Sequence, residues 1–515
     1  MAVVSAAALA VTLTACGGES QSSSAQSSSS APVSGGDLTI GRTGQSVSNL
    51  DPDAEELTAN NAYTLDKIFD ALVTQGPDGA VAPSLATAWT TSTDGKTWTF
   101  TLRDGVKFSD GIALTPADVV YSIKRHLEVK GALPLSAPIT DVAADGTNKV
   151  TVTLSKPYTP LLTELATFAS SIVPDNLRGK NAAEFFAKPI GTGPFTLGDW
   201  NKDAGTIKLV KNTNYWRPGQ PYLDSVTFNT VADDQSLVAQ LQGKQLDAIA
   251  DVPIANVAAL KANPAITVTT VSSWNQDQVF FNTVKGPFAN KALRQAVVHA
   301  IDRKSLTEST TFGTGTPGTT YIPATVRYSD QQADILAYDL EAAKKSLAES
   351  GVAKGTTVTL LVDGGSQART QQAQIIQNSL AQIGLTVKIQ TLDDATFWDT
   401  FPSGNYDFAL STVIADTGDP DNVTYWQVDS TGASKSFHTG YANPEVDKLA
   451  QQGRETPDGD ARKQIYAKIQ QIVAQDSPNL SLDYTAGIAA SQSTVHGLVL
   501  IPNGTLQLAD AWIAK

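Results

Sequence analysis

Residues 82–127 read APSLATAWTTSTDGKTWTFTLRDGVKFSDGIALTPADVVYSIKRHL. Within this stretch Thr97-Trp-Thr-Phe-Thr-Leu102 puts Trp98, Phe100 and Leu102 on one face and threonines on the other. A period of two is the mark of a half-buried strand. Lys149-Val-Thr-Val-Thr-Leu154 has the same alternation. Together they predict an antiparallel sheet with one face on a core and the other toward water.

Working outward, Asp37-Leu-Thr-Ile-Gly41 reads as the first strand, and Thr206–Val210 and Ser225–Asn229 as later ones. The stretch Tyr63–Val73 carries Leu65, Phe69 and Leu72 on one stripe and predicts a helix. Helical periods recur over Asn290–Leu306, over 341–350 ahead of Gly351, over Arg369–Ile383 ahead of Gly384, and over 460–474. A glycine just past a helix supplies the left-handed cap. Short β runs lie between these helices at Thr357–Val362, Thr386–Ile389 and Tyr406–Leu410. Such alternation predicts an α/β fold with parallel strands.

The chain has 515 residues, so two or three domains are expected. At 41% apolar residues it can build real cores. The 37 Lys and Arg against 51 Asp and Glu give a net charge of −14, which disfavours binding to nucleic acid. A single Cys excludes an intramolecular disulfide, and four scattered His argue against a histidine metal site. No cofactor and no catalytic residue are expected.

That Cys is Cys16. It follows the apolar run AVVSAAALAVTL at 2–13, which has signal-peptide length and is too short to span a bilayer. Leu13-Thr-Ala-Cys16-Gly resembles a bacterial lipobox, which implies a signal peptide over 1–15, lipidation of Cys16 and a membrane anchor. No Lys or Arg precedes the apolar run, a departure from that pattern. Residues 17–36, GGESQSSSAQSSSSAPVSGG, form a flexible tether with the anchor residue, covering 16–36. Its reach is about 25 Å.

Four segments resemble the family 5 extracellular solute-binding proteins of ABC importers, which include dipeptide and oligopeptide binders. They are LDKIFDALV with the 82–127 stretch, Pro189-Ile-Gly-Thr-Gly-Pro-Phe195 with Asn212-Thr-Asn-Tyr-Trp216, PFANKALRQAVVHAIDRKSL at 287–306, and AAKKSLAESG at 342–351. The resemblance implies an α/β, two-lobed periplasmic-binding-protein-like flytrap with an extra small α/β domain. Lobe I is expected from 37–280 with 487–515, the small domain from 76–188, and lobe II from 281–486. Crossovers are expected near 275–285 and 480–490. The implied partners are a peptide or other small solute and the permease subunits with their cytoplasmic ATPases, and the receptor is expected to be a monomer.

The resemblance also suggests site residues. Ala415-Asp416-Thr-Gly-Asp419-Pro-Asp421-Asn422 is similar to the segment that holds a ligand α-ammonium, with Asp416 as anchor and Asp419 and Asp421 in support. On composition alone these residues are turn formers. Arg369 is the candidate for a ligand carboxylate, since a guanidinium grips one bidentately; a solvated surface Arg is the alternative. Trp274, Asn275 and Gln278 in VSSWNQDQVFFN, the aromatics Trp398 and Trp426, and Gln45 and Ser46 complete the expected cleft. An oligosaccharide or a metal chelate in the same fold, and a secreted hydrolase, are the other readings.

Gly313-Thr-Gly-Thr-Pro-Gly318 fits a dinucleotide-binding spacing but follows a helix and contains Pro317, so that chemistry is not expected. The paired acids Asp233-Asp234 and Asp393-Asp394 read as solvated charge.

Overall fold

The structure, a computed structural model, describes residues 31–57, 59–331, 337–432 and 434–515. The expected signal peptide, Cys16 and the expected tether as far as residue 30 lie outside the described residues.

The N-terminal part supplies β1 (Asp37–Arg42), β2 (Val73–Gln75), β3 (Val81–Pro83), β4 (Ala86–Thr91), β5 (Thr97–Leu102), β6 (Ile139–Asp145) and β7 (Lys149–Leu154). Next come β8 (Phe195–Asn201), β9 (Thr206–Lys211), β10 (Ser225–Thr230) and β11 (Ala248–Ile249). The long β12 (Ile266–Phe281) leads to β13 (Thr316–Pro317), β14 (Thr357–Asp363), β15 (Thr386–Leu392), β16 (Phe408–Ile414) and the long β17 (Asn479–Gln492).

The main sheet runs β15-β14-β16-β12-β17-β11-β1-β10-β9-β8, with β13 added on β17. Strands β1 and β10 are parallel, as are β14 with β15 and β16, so the sheet is mixed. Two strands hold its two ends together. The first half of β12, through Ser272, pairs with Ala486–Gln492 of β17; after a register shift Gln276–Phe280 pairs with Asn479–Tyr484. The chain therefore passes between lobes inside two adjacent strands.

Each end has its own core. Leu38, Ile40, Phe69, Phe195, Leu209 and Val226 pack one side. Phe281, Phe288, Val297, Leu360, Ile376, Leu380 and Phe408 pack the other. The small sheet β4-β5-β7-β6 is separate. Its inward Trp98, Phe100, Val150, Val152 and Leu154 meet Val119 and Ile123 of the helix Pro116–Val129. That helix begins with proline at its first turn, and Asp118 Oδ2 accepts from the Thr115 backbone N–H at 2.8 Å; both are strong start signals.

Two expected elements differ, and so does the reading of the paired acids. The first helix spans Ala59–Ile68, and Val73 already begins β2. The Ile68 carbonyl accepts from Gly193 N–H at 3.0 Å, so a distant loop takes the place of the next helical turn. The helix expected over 290–306 is two, Lys291–Ala300 and Arg303–Thr311. Asp302 starts the second by accepting from the Ser305 N–H at 3.1 Å and hydroxyl at 2.6 Å. Asp233 and Asp393 are helix N-caps, each accepting from the N–H three residues on. Capping and hydrogen bonding hold both carboxyls below the usual range. Among the described residues no helix is long and apolar enough to cross a membrane.

Candidate functional site

Asp416 stands two residues past the end of β16, where the chain leaves the sheet toward the facing lobe. Its loop is tied from both sides. The Asp416 N–H donates to Asn422 Oδ1 at 3.0 Å, and Asn422 Nδ2 donates back to Asp416 Oδ2 at 3.3 Å. Across the cleft Gln75 Nε2 donates to the Asp416 carbonyl at 2.9 Å. Gln75 is itself held by Asn503 Nδ2 at 3.2 Å and, through its carbonyl, by Gln507 Nε2 at 2.9 Å.

The Asp416 carboxylate faces a chamber of about 270 Å³ between the lobes. Tyr63, Asp66, Gln75, Phe168 and Asn503 line it from one side, Ile414 and Asp416 from the other. A second space of about 30 Å³ continues from Asp416 toward Glu164, Asp421, Asn422, Tyr425 and Trp426. Burial pushes the Asp416 carboxyl up, and the Asn422 amide only partly opposes this. Among the described residues no Lys, Arg or His hydrogen-bonds to its side chain.

The acids beyond it are all spent within the protein. Arg462 is fully buried and donates to both oxygens of Asp419 at 2.7 Å and to Asp458 at 2.8 Å. Burial alone would lower the Arg462 pKa; Asp419 more than reverses it. Arg454 likewise grips Asp421 at 2.9 Å and Asp429 at 2.6 Å. These pairs fix the helix Pro420–Gln427 and hence the Asp416 loop. Asp419, expected in support of Asp416 at the ligand site, makes no ligand-facing surface of its own: it caps that helix and answers Arg462.

Arg369 is also placed elsewhere. Its Nε donates to the Asp363 carbonyl at 3.0 Å, one terminal nitrogen pairs with the Asp363 carboxylate at 3.0 Å, and the other donates to Thr412 Oγ1 at 2.7 Å. Thr412 passes the link to Asp277, which lies opposite Asp483 on β12 and β17, with Gln372 Nε2 bridging the two acids at 2.9 and 3.0 Å. Burial, then the Asp277 charge, raises Asp483 well above its ordinary range. The guanidinium serves this crossover network and lines neither chamber.

Of the remaining expected residues, Trp426 lines the smaller space. Trp274 is buried at the crossover, where its ring abuts Gly79 of the β2–β3 turn and Gly418. Asn275 pairs with Ile414 on β16, and Gln278 is buried with its amide on Ser481 Oγ at 3.0 Å. Trp398 sits half-exposed against Phe397, Phe401 and Phe437. Ser46 lies beside Gly205, and the Gln45 carbonyl accepts from Asn60 at 2.7 Å. None of these six lines the two interlobe spaces. Sequence reasoning missed Tyr63, Asp66, Gln75, Phe168 and Asn503. Their ranges in the chain carry no shared motif, and only the fold gathers them.

Two lobes joined by crossing strands, with a sheltered chamber between them, define a receptor for a small solute. A family model, bacterial extracellular solute-binding proteins, family 5 Middle, matches residues 80–435, and the chain belongs to that family. Members of this class are non-enzymatic, extracytoplasmic, and serve ABC importers. The chain is 28% identical over 451 residues to the glutathione-binding protein GsiB of Escherichia coli K12, covering 83% of this chain and 85% of that one. It is 28% identical over 454 residues to heme-binding protein A of Haemophilus influenzae, covering 82% of each. Helicobacter pylori DppA in complex with the peptide STSA superposes with a TM-score of 0.82 at 25% identity, covering 94% of this chain and 99% of that one. AgaA of A. tumefaciens R10 in complex with agropinic acid gives 0.82 at 29%, covering 93% and 99%.

Proposed function

We propose that this receptor captures peptides by their free amino terminus and delivers them to an ABC importer. The observation that supports this most is the Asp416 carboxylate, which lines the interlobe chamber with no cationic partner among the described residues. A desolvated carboxylate is unfavourable until a cation and hydrogen bonds meet it. A ligand ammonium supplies both at once, and its arrival coincides with closure. Backbone groups of an extended ligand can be read by the amides of Gln75, Asn503 and Gln507 from lobe I. DppA, with its bound peptide, is a relative of matching fold. Lipidation of Cys16 would hold the body on the outer face of the cytoplasmic membrane, with the Ser-rich segment as its leash.

Thermal unfolding against di-, tri- and pentapeptides, oligosaccharides and metal chelates tests the reading. A ligand at 100 times its Kd stabilises by about 2.7 kcal/mol. A peptide shift that disappears on N-acetylation, and in Asp416→Ala, supports the anchor. A shift with a sugar or chelate that is indifferent to Asp416 refutes it.

A further inference from the structure

The charges lining the chamber say more about the solute than its fold does. Among the described residues, the only ionisable ones lining the 270 Å³ chamber besides Tyr63 are Asp66 and Asp416. In the 30 Å³ space they are Glu164, Asp416, Asp421 and Tyr425. Neither is lined by a Lys, Arg or His. Asp66 is already matched by Lys67 at 2.5 Å, and Asp421 by Arg454. Glu164 is held by the Tyr158 hydroxyl at 2.5 Å. Asp416 is left as the unmatched charge.

An adjoining chamber of about 360 Å³ shares Asp66, Gln75 and Gln507 with the first and does contain Lys67 and Arg217. Both have acid partners, Lys67 in Asp66 and Arg217 in Asp510 at 4.0 Å. Asp70 adds a further acid there. Arg369, the expected receiver of a carboxylate, is bound to Asp363 and Thr412. No Lys, Arg or His occurs among residues 1–30, 332–336, Thr58 or Ala433, so no segment outside the described residues holds one either.

We infer that the solute of this cleft is a net cation, an amine- or guanidine-bearing molecule with no carboxylate inside the chamber; a peptide ligand would be one whose terminal carboxylate is blocked or lies outside it. This rests on the reading of Asp416 as the cation anchor. A zwitterion enclosed here would satisfy Asp416 and leave its own carboxylate desolvated beside acids, without a partner. A cation leaves nothing unmatched. The net charge of −14 acts in the same sense at long range, drawing cations toward the cleft.

The test is calorimetric titration of the protein with Ala-Ala-Ala, its C-terminal amide, its N-acetyl form, agmatine and glutathione. The amide is expected to bind at least as tightly as the free acid, and N-acetylation to weaken binding by roughly 100-fold or more. In Asp416→Asn the amide and the free acid are both expected to bind roughly tenfold or more weakly, because the cation anchor is lost while the chamber still offers a carboxylate no partner. If the free acid binds more tightly than the amide, the peptide reading stands and the cation inference falls. If agmatine binds and no peptide does, the peptide reading falls and the cation inference stands. Binding of glutathione in preference to the amines overturns the cation inference alone, since glutathione keeps a free ammonium; binding of the N-acetyl peptide in preference to the amines overturns both. Failure of every cationic probe to bind at millimolar concentration also overturns the inference.

Discussion

Glu164 offers a sharp test of the physical picture, because it should make the fold weaker as pH rises. Its carboxyl sits where the small domain meets the Asp416 loop. Oε2 accepts from the N–H groups of Ser136 and Ala137 at 3.2 Å, and Oε1 accepts from Tyr158 at 2.5 Å. The Tyr158 hydroxyl also approaches Asp421 of the facing lobe at 3.4 Å. Burial pushes the Glu164 pKa from 4.5 up to about 7, with the Tyr158 hydrogen bond opposing. Because the folded value lies above the unfolded one, the folded state holds the proton more tightly. Its contribution to stability is therefore full below pH 4.5 and is lost as pH rises toward 7. At about 1.4 kcal/mol per unit, the interval corresponds to roughly 3 kcal/mol. Glu164→Gln keeps the shape and the acceptor for Ser136 and Ala137 but cannot ionise. Urea unfolding of wild type and variant, followed by tryptophan fluorescence from pH 4.5 to 8, should show the variant gaining about 3 kcal/mol on the wild type across that range. Parallel pH profiles for the two proteins would refute the assignment of a buried, neutralised carboxyl.

Other outcomes follow from the same geometry. Arg462→Met leaves Asp419 buried and unpaired and should destabilise by about 3–5 kcal/mol; Arg462→Met with Asp419→Leu should recover most of it in denaturant melts. In Gly79→Ala the new methyl would lie 2.2 Å from the Trp274 ring at a backbone φ of +77°. The β2–β3 turn could then not seat on the crossover, so solute affinity should fall by roughly tenfold or more by calorimetry. Replacing Cys16 by Ala should move the protein from the membrane fraction to the soluble fraction after cell lysis; unchanged membrane association would end the lipid-anchor proposal.

Local pattern carried most of the secondary structure. Trp98, Phe100 and Leu102 alternate, and they are buried on one side of β5 as that period requires. The helix at 340–350 stops at Gly351 with φ +69°, as a terminal glycine directs. These features need only neighbours in sequence, so sequence suffices to read them. Where the first helix ends was not legible, because the group that takes the Ile68 carbonyl comes from Gly193, more than a hundred residues on. The break at Asp302 was legible in principle: Asp ahead of Arg-Lys-Ser is a cap signal, but the apolar period runs through it.

The site divides in the same way. Asp416 stood out because Asp, Gly, Pro and Asn gather in one short loop that resembles a family segment. Arg369 looked equally suitable, and its role turned on Asp363 and Thr412, which β14 and β16 bring to it. By itself, then, the sequence determined the strands, the helices, the acidic balance and the one cysteine, because each depends on local chemistry. Only the tertiary structure decided which charges are matched. A carboxylate and a guanidinium cancel according to their distance in space, and that is set by the crossing of β12 and β17, which no local stretch of chain contains.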